Sequence, residues 1–391
     1  MNRAKTCPVC GSPTLTLFLR REDVPVHQNL LLPSRESALQ ITRGDLTLMV
    51  CEACGFIFNQ TFDLSKLSYN ESYDNTQSHS SYFNQYLDEL IHHLIFERDV
   101  RQCRVLEVGC GKGLFLRQLV QRSEFGNTGY GFDPTYLGPL VDLDGRLRFE
   151  RRFYDPQCAD IPADVVVCRH VIEHVPDPLN LLCTVKQALA HSPHARIFFE
   201  TPCVQWILEH QVIWDFFYEH CSYFTAESLT TAFQLAGFEV QSVRHVFGGQ
   251  YLWLEATPAH GTTTVTKDAD SIPALASRFA QAEPGLIDKW TAAVQRWRAR
   301  GNLALWGAGA KGVTFANLID PARRWLSCVV DLNPHKQGHY IAGTGHPIVG
   351  YQELADYHVV AAMLLNPNYR EENLRLLQEL RLDVDLVTLR D

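Results

Sequence analysis

The sequence predicts an α/β chain in three parts, and three observations carry that reading. Two C-x-x-C-G runs lie near the start, Cys7-Pro-Val-Cys10-Gly and Cys51-Glu-Ala-Cys54-Gly. Further on, the apolar run Val105, Leu106 and Val108 ends in Gly109, Gly111 and Gly113, and a helix-type apolar run follows. The same order of strand, glycine turn and helix returns at Leu303-Ala-Leu-Trp-Gly307-Ala-Gly309-Ala-Lys311-Gly312. A chain of 391 residues, 46% of them apolar, is too long for one ordinary domain and rich enough for more than one core. The expected divisions are 1–65, 66–257 and 258–391.

The formal charge of -9 argues against a general nucleic-acid binder. No apolar run reaches membrane-spanning length, and MNRAKTCPVC has no signal-peptide core. A cytoplasmic protein with no membrane or nucleic-acid partner is therefore expected, a monomer or small homo-oligomer acting on a small molecule. Twelve cysteines in that compartment read as thiols and metal ligands rather than disulfides.

In the first part, four thiols in two pairs suit tetrahedral zinc, with Cys7, Cys10, Cys51 and Cys54 as ligands. The glycine after each pair lets the knuckle turn tightly. All four positions being filled, the zinc is structural, a staple for a segment too small to hold itself. The alternative is buried free thiols.

The second part opens with the polar, aromatic stretch from Tyr69 through Tyr73 to His79, a loop or lid. Phe83, Tyr86, Leu87, Leu90, Ile91, Leu94 and Ile95 then keep helical spacing. Strands are expected at 104–108, 128–132, 165–168, 195–200, 240–245 and 251–256, alternating with helices as in a mostly parallel sheet. The last two read as an antiparallel hairpin at the sheet's end. A Gly/Thr-rich linker spans 258–270, and helical pattern runs from Leu286 to Arg298. The third part adds apolar runs at 303–306, 328–331, 359–365 and 384–389, a second small α/β sheet.

The run Val105-Leu-Glu-Val-Gly-Cys-Gly-Lys-Gly113 resembles the first motif of class I S-adenosylmethionine (SAM) methyltransferases. SAM has no phosphate, so such a turn needs only close backbone approach, which Gly109, Gly111 and Gly113 permit. Asp133 ends the second strand, beside the first turn, where a carboxylate can accept both ribose hydroxyls; the alternative is a helix-cap aspartate. Glu107 is placed to orient the turn or face the methionine amine, and Asp155 to meet the adenine amino group. His170-Val-Ile-Glu-His174-Val resembles the "EHV" run of many such enzymes, in a loop that lines both cofactor and substrate.

Phe217-Tyr218-Glu219-His220 is the other dense cluster. Histidine, with an ordinary pKa of about 6.5, can take a proton near neutrality. Methylating a carbon requires a carbanion equivalent, reached by removing a proton beside a ketone while something holds the enolate oxygen. A core tyrosine and histidine are the plainer reading.

The chain as a whole resembles the sugar C-methyltransferases, which methylate C-3 of nucleotide-linked 4-keto-6-deoxy sugars. Three features carry the resemblance: the order of knuckles, SAM domain and second α/β domain; the Tyr218-Glu219-His220 cluster with Phe224 and Phe247-Gly-Gly-Gln; and Gly307–Gly312 with the run from Val330 to Gly343. It implies three domains: a small zinc-binding domain, a central Rossmann-like SAM domain and a second Rossmann-like domain on the substrate side. It further implies that His220 removes the proton alpha to the ketone, that Tyr218 and Glu219 position substrate and tune the histidine, that His174 lies on the substrate side, and that Tyr73 closes over the site. The runs 75–80 and 365–370 depart from the sugar enzymes and mark a variant subgroup.

Gly307–Gly312 with Asp331 is by itself a dinucleotide fingerprint, whereas the family resemblance makes this domain a substrate-side wall without nicotinamide. Lys311 and Lys336 would then meet a diphosphate at the turn, or else lie solvated on the surface. O- or N-methylation of a small metabolite, C-methylation of a non-sugar ketone, and a nicotinamide-dependent reaction are the alternatives.

Overall fold

The computed structural model describes residues 5–68, 72–158, 161–259 and 271–388. Tyr69, Asn70 and Glu71 of the expected lid, linker residues 260–270 and Leu389 of the last apolar run lie outside the described residues. The rest forms three sheets.

The first sheet is antiparallel: Leu15–Pro25, Arg43–Cys51 and Ile57–Asn59 lie side by side. Its fourth strand is Ser222–Tyr223, which follows directly on the His220 cluster. The loop carrying His220 is thereby hydrogen-bonded to the cysteine-bearing segment. No local pattern announces a two-residue strand whose partner lies so far away in the chain.

The second sheet has eight strands. Arg104–Val108 and Val165–Arg169 lie parallel at its centre. Thr128–Phe132, Leu147–Glu150 and Val141–Asp142 continue on one side. Arg196–Pro202 and the hairpin of Tyr251–Pro258 with Phe238–Val246 continue on the other. Val165-Val-Val-Cys168 is buried throughout, as a central strand covered on both faces must be. All six expected strands are present. Leu147–Glu150 and Val141–Asp142 are additions, too short and too charged to stand out in the sequence.

The third sheet is wholly parallel, in the order Ile348–Val349, Leu326–Val330, Asn302–Trp306, Val359–Leu364, Asp385–Thr388. Before it runs a single helix, Ile272–Arg298, which begins well ahead of the expected Leu286. Pro284 and Gly285 interrupt the apolar pattern, yet the helix passes through them. Its Glu283 binds the buried guanidinium of Arg21 from the first sheet, which also donates to the carbonyls of Ile213 and Phe216 at 2.7 and 2.8 Å. The helix thus ties the knuckle segment to the approach to His220.

Strand order reverses between Arg104–Val108 and Val165–Arg169 in the second sheet, and between Asn302–Trp306 and Val359–Leu364 in the third. In open α/β sheets the crevice beyond the carboxyl ends at such a point is where ligands bind.

Candidate functional site

A cavity of about 300 Å³ occupies that position in the third sheet and reaches the loop after Val165–Arg169 in the second. His170, Glu173 and His174 reach it from the loop after Val165–Arg169; Phe217, Glu219 and His220 come from the following cluster. Gly307, Gly309 and Lys311 come from the second glycine turn, and Asn366, Tyr369 and Asn373 from the loop and helix after Val359–Leu364. Tyr73 and residues 75–77 line it from the expected lid. Glu372 braces that lid: its carboxylate accepts from Ser80 Oγ at 2.6 Å and from Ser81 Oγ at 2.7 Å, at the start of helix Ser81–His92.

The residues of the run 217–220 fan out in different directions. His220 is edge-on to His174, with ring centroids 4.7 Å apart, and packs on Phe217 at 4.1 Å. Neither ring nitrogen has a hydrogen-bond partner among the described residues. Burial pushes its pKa well below the usual value, and the neighbouring His174, His170 and Lys311 charges push the same way. The imidazole is therefore neutral, with a lone pair available inside the cavity. Glu219 points the other way. Its carboxylate meets His27 Nδ1 at 3.2 Å and accepts from the Gln28 amide at 3.0 Å. Ser68 N donates to His27 Nε2 at 2.9 Å, so Nδ1 carries the proton given to Glu219. Glu219 thus anchors the loop to the first segment, and its own carbonyl lies 3.0 Å from His174 Nδ1.

Tyr218 is not among the cavity residues. Its hydroxyl accepts from the Asp63 amide at 2.8 Å and its ring stacks obliquely on Phe62. It also covers Gly44, where a Cβ would come within 2.5 Å of the ring. The substrate contact expected of Tyr218 has no place in this arrangement: a turn at 218–219 sends the ring into the first segment, and Phe217 faces the cavity instead.

A buried ionic network backs the cavity wall. Arg169 Nε donates to Glu200 at 2.6 Å, and His170 lies between Glu200 and Glu173 at 3.4 and 3.3 Å. Burial works against charge on His170, but Glu200 and Glu173 outweigh it and raise the imidazole to about 9. Burial likewise opposes charge on Glu200, yet Arg169 and His170 bring it down to about 2. Tyr251 packs edge-on against His170 at 4.6 Å, and burial keeps its phenol protonated far above the usual range. Glu173, His174 and His220 present ligand atoms within 4.8 Å of one another, a set that would also accept a cation. Glu173 is already engaged, however, by His170 and by Thr201 Oγ1 at 3.0 Å.

The first glycine turn lies beside this cavity, not in its wall. Gly109, Gly111 and Gly113 all have positive φ, and Asp133 Oδ2 accepts from Gly111 N at 2.8 Å. Asp133 Oδ1 accepts from Thr135, so the aspartate braces the turn from its expected position. Glu107 is 2% exposed, its Oε2 has no hydrogen-bond partner, and burial raises its carboxyl to about 8. An orphaned carboxyl oxygen on the strand that leads into the turn, with space open at Gly111, fits the ammonium of SAM, and Glu107, Gly109, Gly111 and Asp133 would hold it. Asp155 sits in a turn where Oδ1 accepts from Gln157 N at 2.8 Å.

At the second turn, Asp331 Oδ2 accepts from Ala308 N at 2.8 Å. Lys311 lies 2.5 Å from Asp215 and 3.5 Å from Gln250 Oε1. Lys336 is 5% exposed and its Nζ lies 3.2 Å from both Asn29 Oδ1 and Ala308 O. Both lysines line the cavity, which overturns the solvated-surface reading. Gln250 and Asn366 form a reciprocal amide pair, at 2.9 and 3.1 Å, joining the second sheet's hairpin to the third sheet's loop.

The four cysteine sulfurs lie within 4.8 Å of one another, with Cys7–Cys54 at 3.7 Å and Cys10–Cys51 at 3.5 Å. Zn–S bonds of about 2.3 Å in a tetrahedron place sulfurs about 3.8 Å apart, so the group fits zinc. Gly11 and Gly55 both take positive φ and donate to Cys7 and Cys51 carbonyls at 2.9 Å, which is the turn each knuckle needs.

Two family models match this chain. One, described as a methyltransferase domain, covers residues 79–243. The other, described as a C-methyltransferase C-terminal domain, covers residues 273–384. The chain carries a methyltransferase domain and a C-methyltransferase C-terminal domain. The fold of the first is the Rossmann-like one of SAM-dependent methyltransferases, as the strand order also requires. Among curated proteins, the ubiquinone biosynthesis O-methyltransferase of Yersinia pestis (strain Pestoides F) is 28% identical over 112 residues, 27% of this chain and 43% of that protein. The protein of the same name from Yersinia pseudotuberculosis (serotype O:1b, strain IP 31758) gives the same figures. The chain thus spans less than half the length of these curated relatives. Among solved structures, the 1,6-didemethyltoxoflavin-N1-methyltransferase of Burkholderia thailandensis is 16% identical, with TM-score 0.33, covering 46% of this chain and 87% of that one. A SAM-dependent methyltransferase from Mesorhizobium loti is 16% identical, with TM-score 0.32, covering 44% and 99%. No helix among the described residues is long and apolar enough to cross a membrane.

Proposed function

We propose that this protein is a SAM-dependent C-methyltransferase that methylates the carbon alpha to a ketone, at C-3 of a nucleotide-linked 4-keto-deoxysugar. The observation that carries the reading is His220: a neutral imidazole with no hydrogen-bond partner, facing a cavity shared by the two sheets. Such a group takes a proton from carbon when the ketone lies beside it. The protonated phenol of Tyr251, packed on a cationic His170, is a donor for the oxygen that becomes negative. His174, fixed through Nδ1 by the Glu219 carbonyl, holds the His220 ring edge-on. SAM, when bound at the first turn, supplies the methyl. Tyr73 and the lid exclude water, and Lys311 and Lys336 face the diphosphate. Zinc at the four cysteines holds the segment that anchors Glu219.

The test is a SAM assay against a panel of nucleotide-linked 4-keto sugars, with product mass and the position of the new methyl determined. His220→Asn lowers turnover by about 10²–10⁴-fold and leaves SAM affinity unchanged. Near-wild-type turnover of that variant refutes the base assignment. The likeness to O-methyltransferases supports a second reading, methylation of oxygen. It predicts no exchange of substrate carbon hydrogen in deuterated solvent, whereas the carbon reading predicts exchange that depends on His220.

A further inference from the structure

Asn373 is the one cavity residue among those described whose side chain is a complete, buried and unpaired carboxamide. It is 1% exposed, lines the cavity, and neither Nδ2 nor Oδ1 has a hydrogen-bond partner. Its neighbours do not share this state. Asn366 spends both amide atoms on Gln250, and Glu372, the residue before Asn373, spends its carboxylate on Ser80 and Ser81. Helix Arg370–Glu379 is therefore pinned through Glu372 and the loop before it through Asn366, and Asn373 is held in place with a donor and an acceptor unspent. Buried polar groups left in this state are rare in native proteins and ask for a partner.

A carboxamide is planar and offers N–H and C=O side by side. Its complement is a planar edge with an acceptor next to a donor, as on a nucleobase. Trp306, Tyr369 and the second glycine turn with Lys311 line the same cavity, and Lys311 is paired there with Asp215. An amide edge and a glycine turn in one cavity are the parts that a base joined to a diphosphate would use.

We propose that Asn373 reads the nucleobase of the substrate and sets which nucleotide the enzyme accepts. The inference rests on the nucleotide-linked reading above. It gives the third sheet a recognition role distinct from the chemistry at His220.

Calorimetry with UDP, dTDP, CDP, GDP and ADP, and with inorganic diphosphate, tests it on the full-length zinc-loaded protein. The wild type is expected to favour one nucleotide. Asn373→Leu and Asn373→Asp are each expected to lose at least tenfold in affinity for it, with diphosphate binding unchanged. Asn373→Leu is also expected to melt no lower than the wild type, since it removes two unpaired polar atoms. If a nucleotide binds and neither variant weakens it, Asn373 does not read the base and the nucleotide reading stands. If no nucleotide binds, both fall. A clear drop in melting temperature for Asn373→Leu, with nucleotide affinity unchanged, assigns the amide to the fold and overturns the proposal.

Discussion

At the first glycine turn the Gly109 amide donates to Phe132 O at 2.8 Å; at the second, the Gly307 amide donates to Val330 O at 2.7 Å. In each, the aspartate ending the neighbouring strand takes a turn amide at 2.8 Å with one oxygen, Asp133 from Gly111 and Asp331 from Ala308. With its other oxygen each accepts from the amide two residues on, Thr135 or Asn333. The bracing by aspartate is alike, although three glycines of the first turn take positive φ and only Gly307 does in the second. The charge differs. The first strand carries Glu107, buried with a free oxygen, where the second carries Leu305. The second turn has Lys311 and the buried Lys336 beside it. Under the proposed function one scaffold takes a cationic ligand and the other an anionic one, and side chains outside the glycines decide which.

Glu107→Gln gives the largest expected effect on this contrast. Glu107 holds its proton more tightly folded than unfolded, so it destabilises the ligand-free protein as pH rises from the ordinary carboxylate range to about 8. The cost at pH 8 is on the order of 4 kcal/mol. The ligand-free variant should therefore melt above wild type at pH 8 and close to it at pH 5, while its SAM affinity falls at least tenfold. Unchanged SAM affinity would break the contrast. Next come the glycines themselves. A Cβ on Gly312 would lie 1.8 Å from the Gly307 carbonyl oxygen, whereas one on Gly111 meets nothing within 4 Å. Gly312→Ala should cost about 3 kcal/mol through overpacking, and Gly111→Ala only about 1–2 kcal/mol from its left-handed φ. Denaturant unfolding of both variants checks the order. Smallest is Lys336→Met, expected to raise the substrate KM about tenfold and leave SAM affinity unchanged, as read by steady-state kinetics and calorimetry.

Both turns, the knuckles and the main strands were legible because each is local. Glycine spacing, apolar runs and C-x-x-C-G pairs need no knowledge of distant residues. The site was legible only in part. His220, His174 and Lys311 could be singled out by type, but the direction of a side chain within Phe217-Tyr218-Glu219-His220 depends on a turn that no periodicity reveals. Glu219 finds its partners at His27 and Gln28, and Tyr218 at Asp63, both across sheets. Asn373 carried no signal at all: an asparagine within a charged amphipathic helix reads as surface until the fold buries it.

The two-residue strand Ser222–Tyr223 makes the first two parts inseparable as an engineering matter. A graft that exchanges the central sheet at residues 66–257 also carries away one strand of the cysteine-bearing sheet and the clamp on Glu219. Recombination between relatives must therefore move the knuckle segment together with the His220 loop, or leave that loop without its footing.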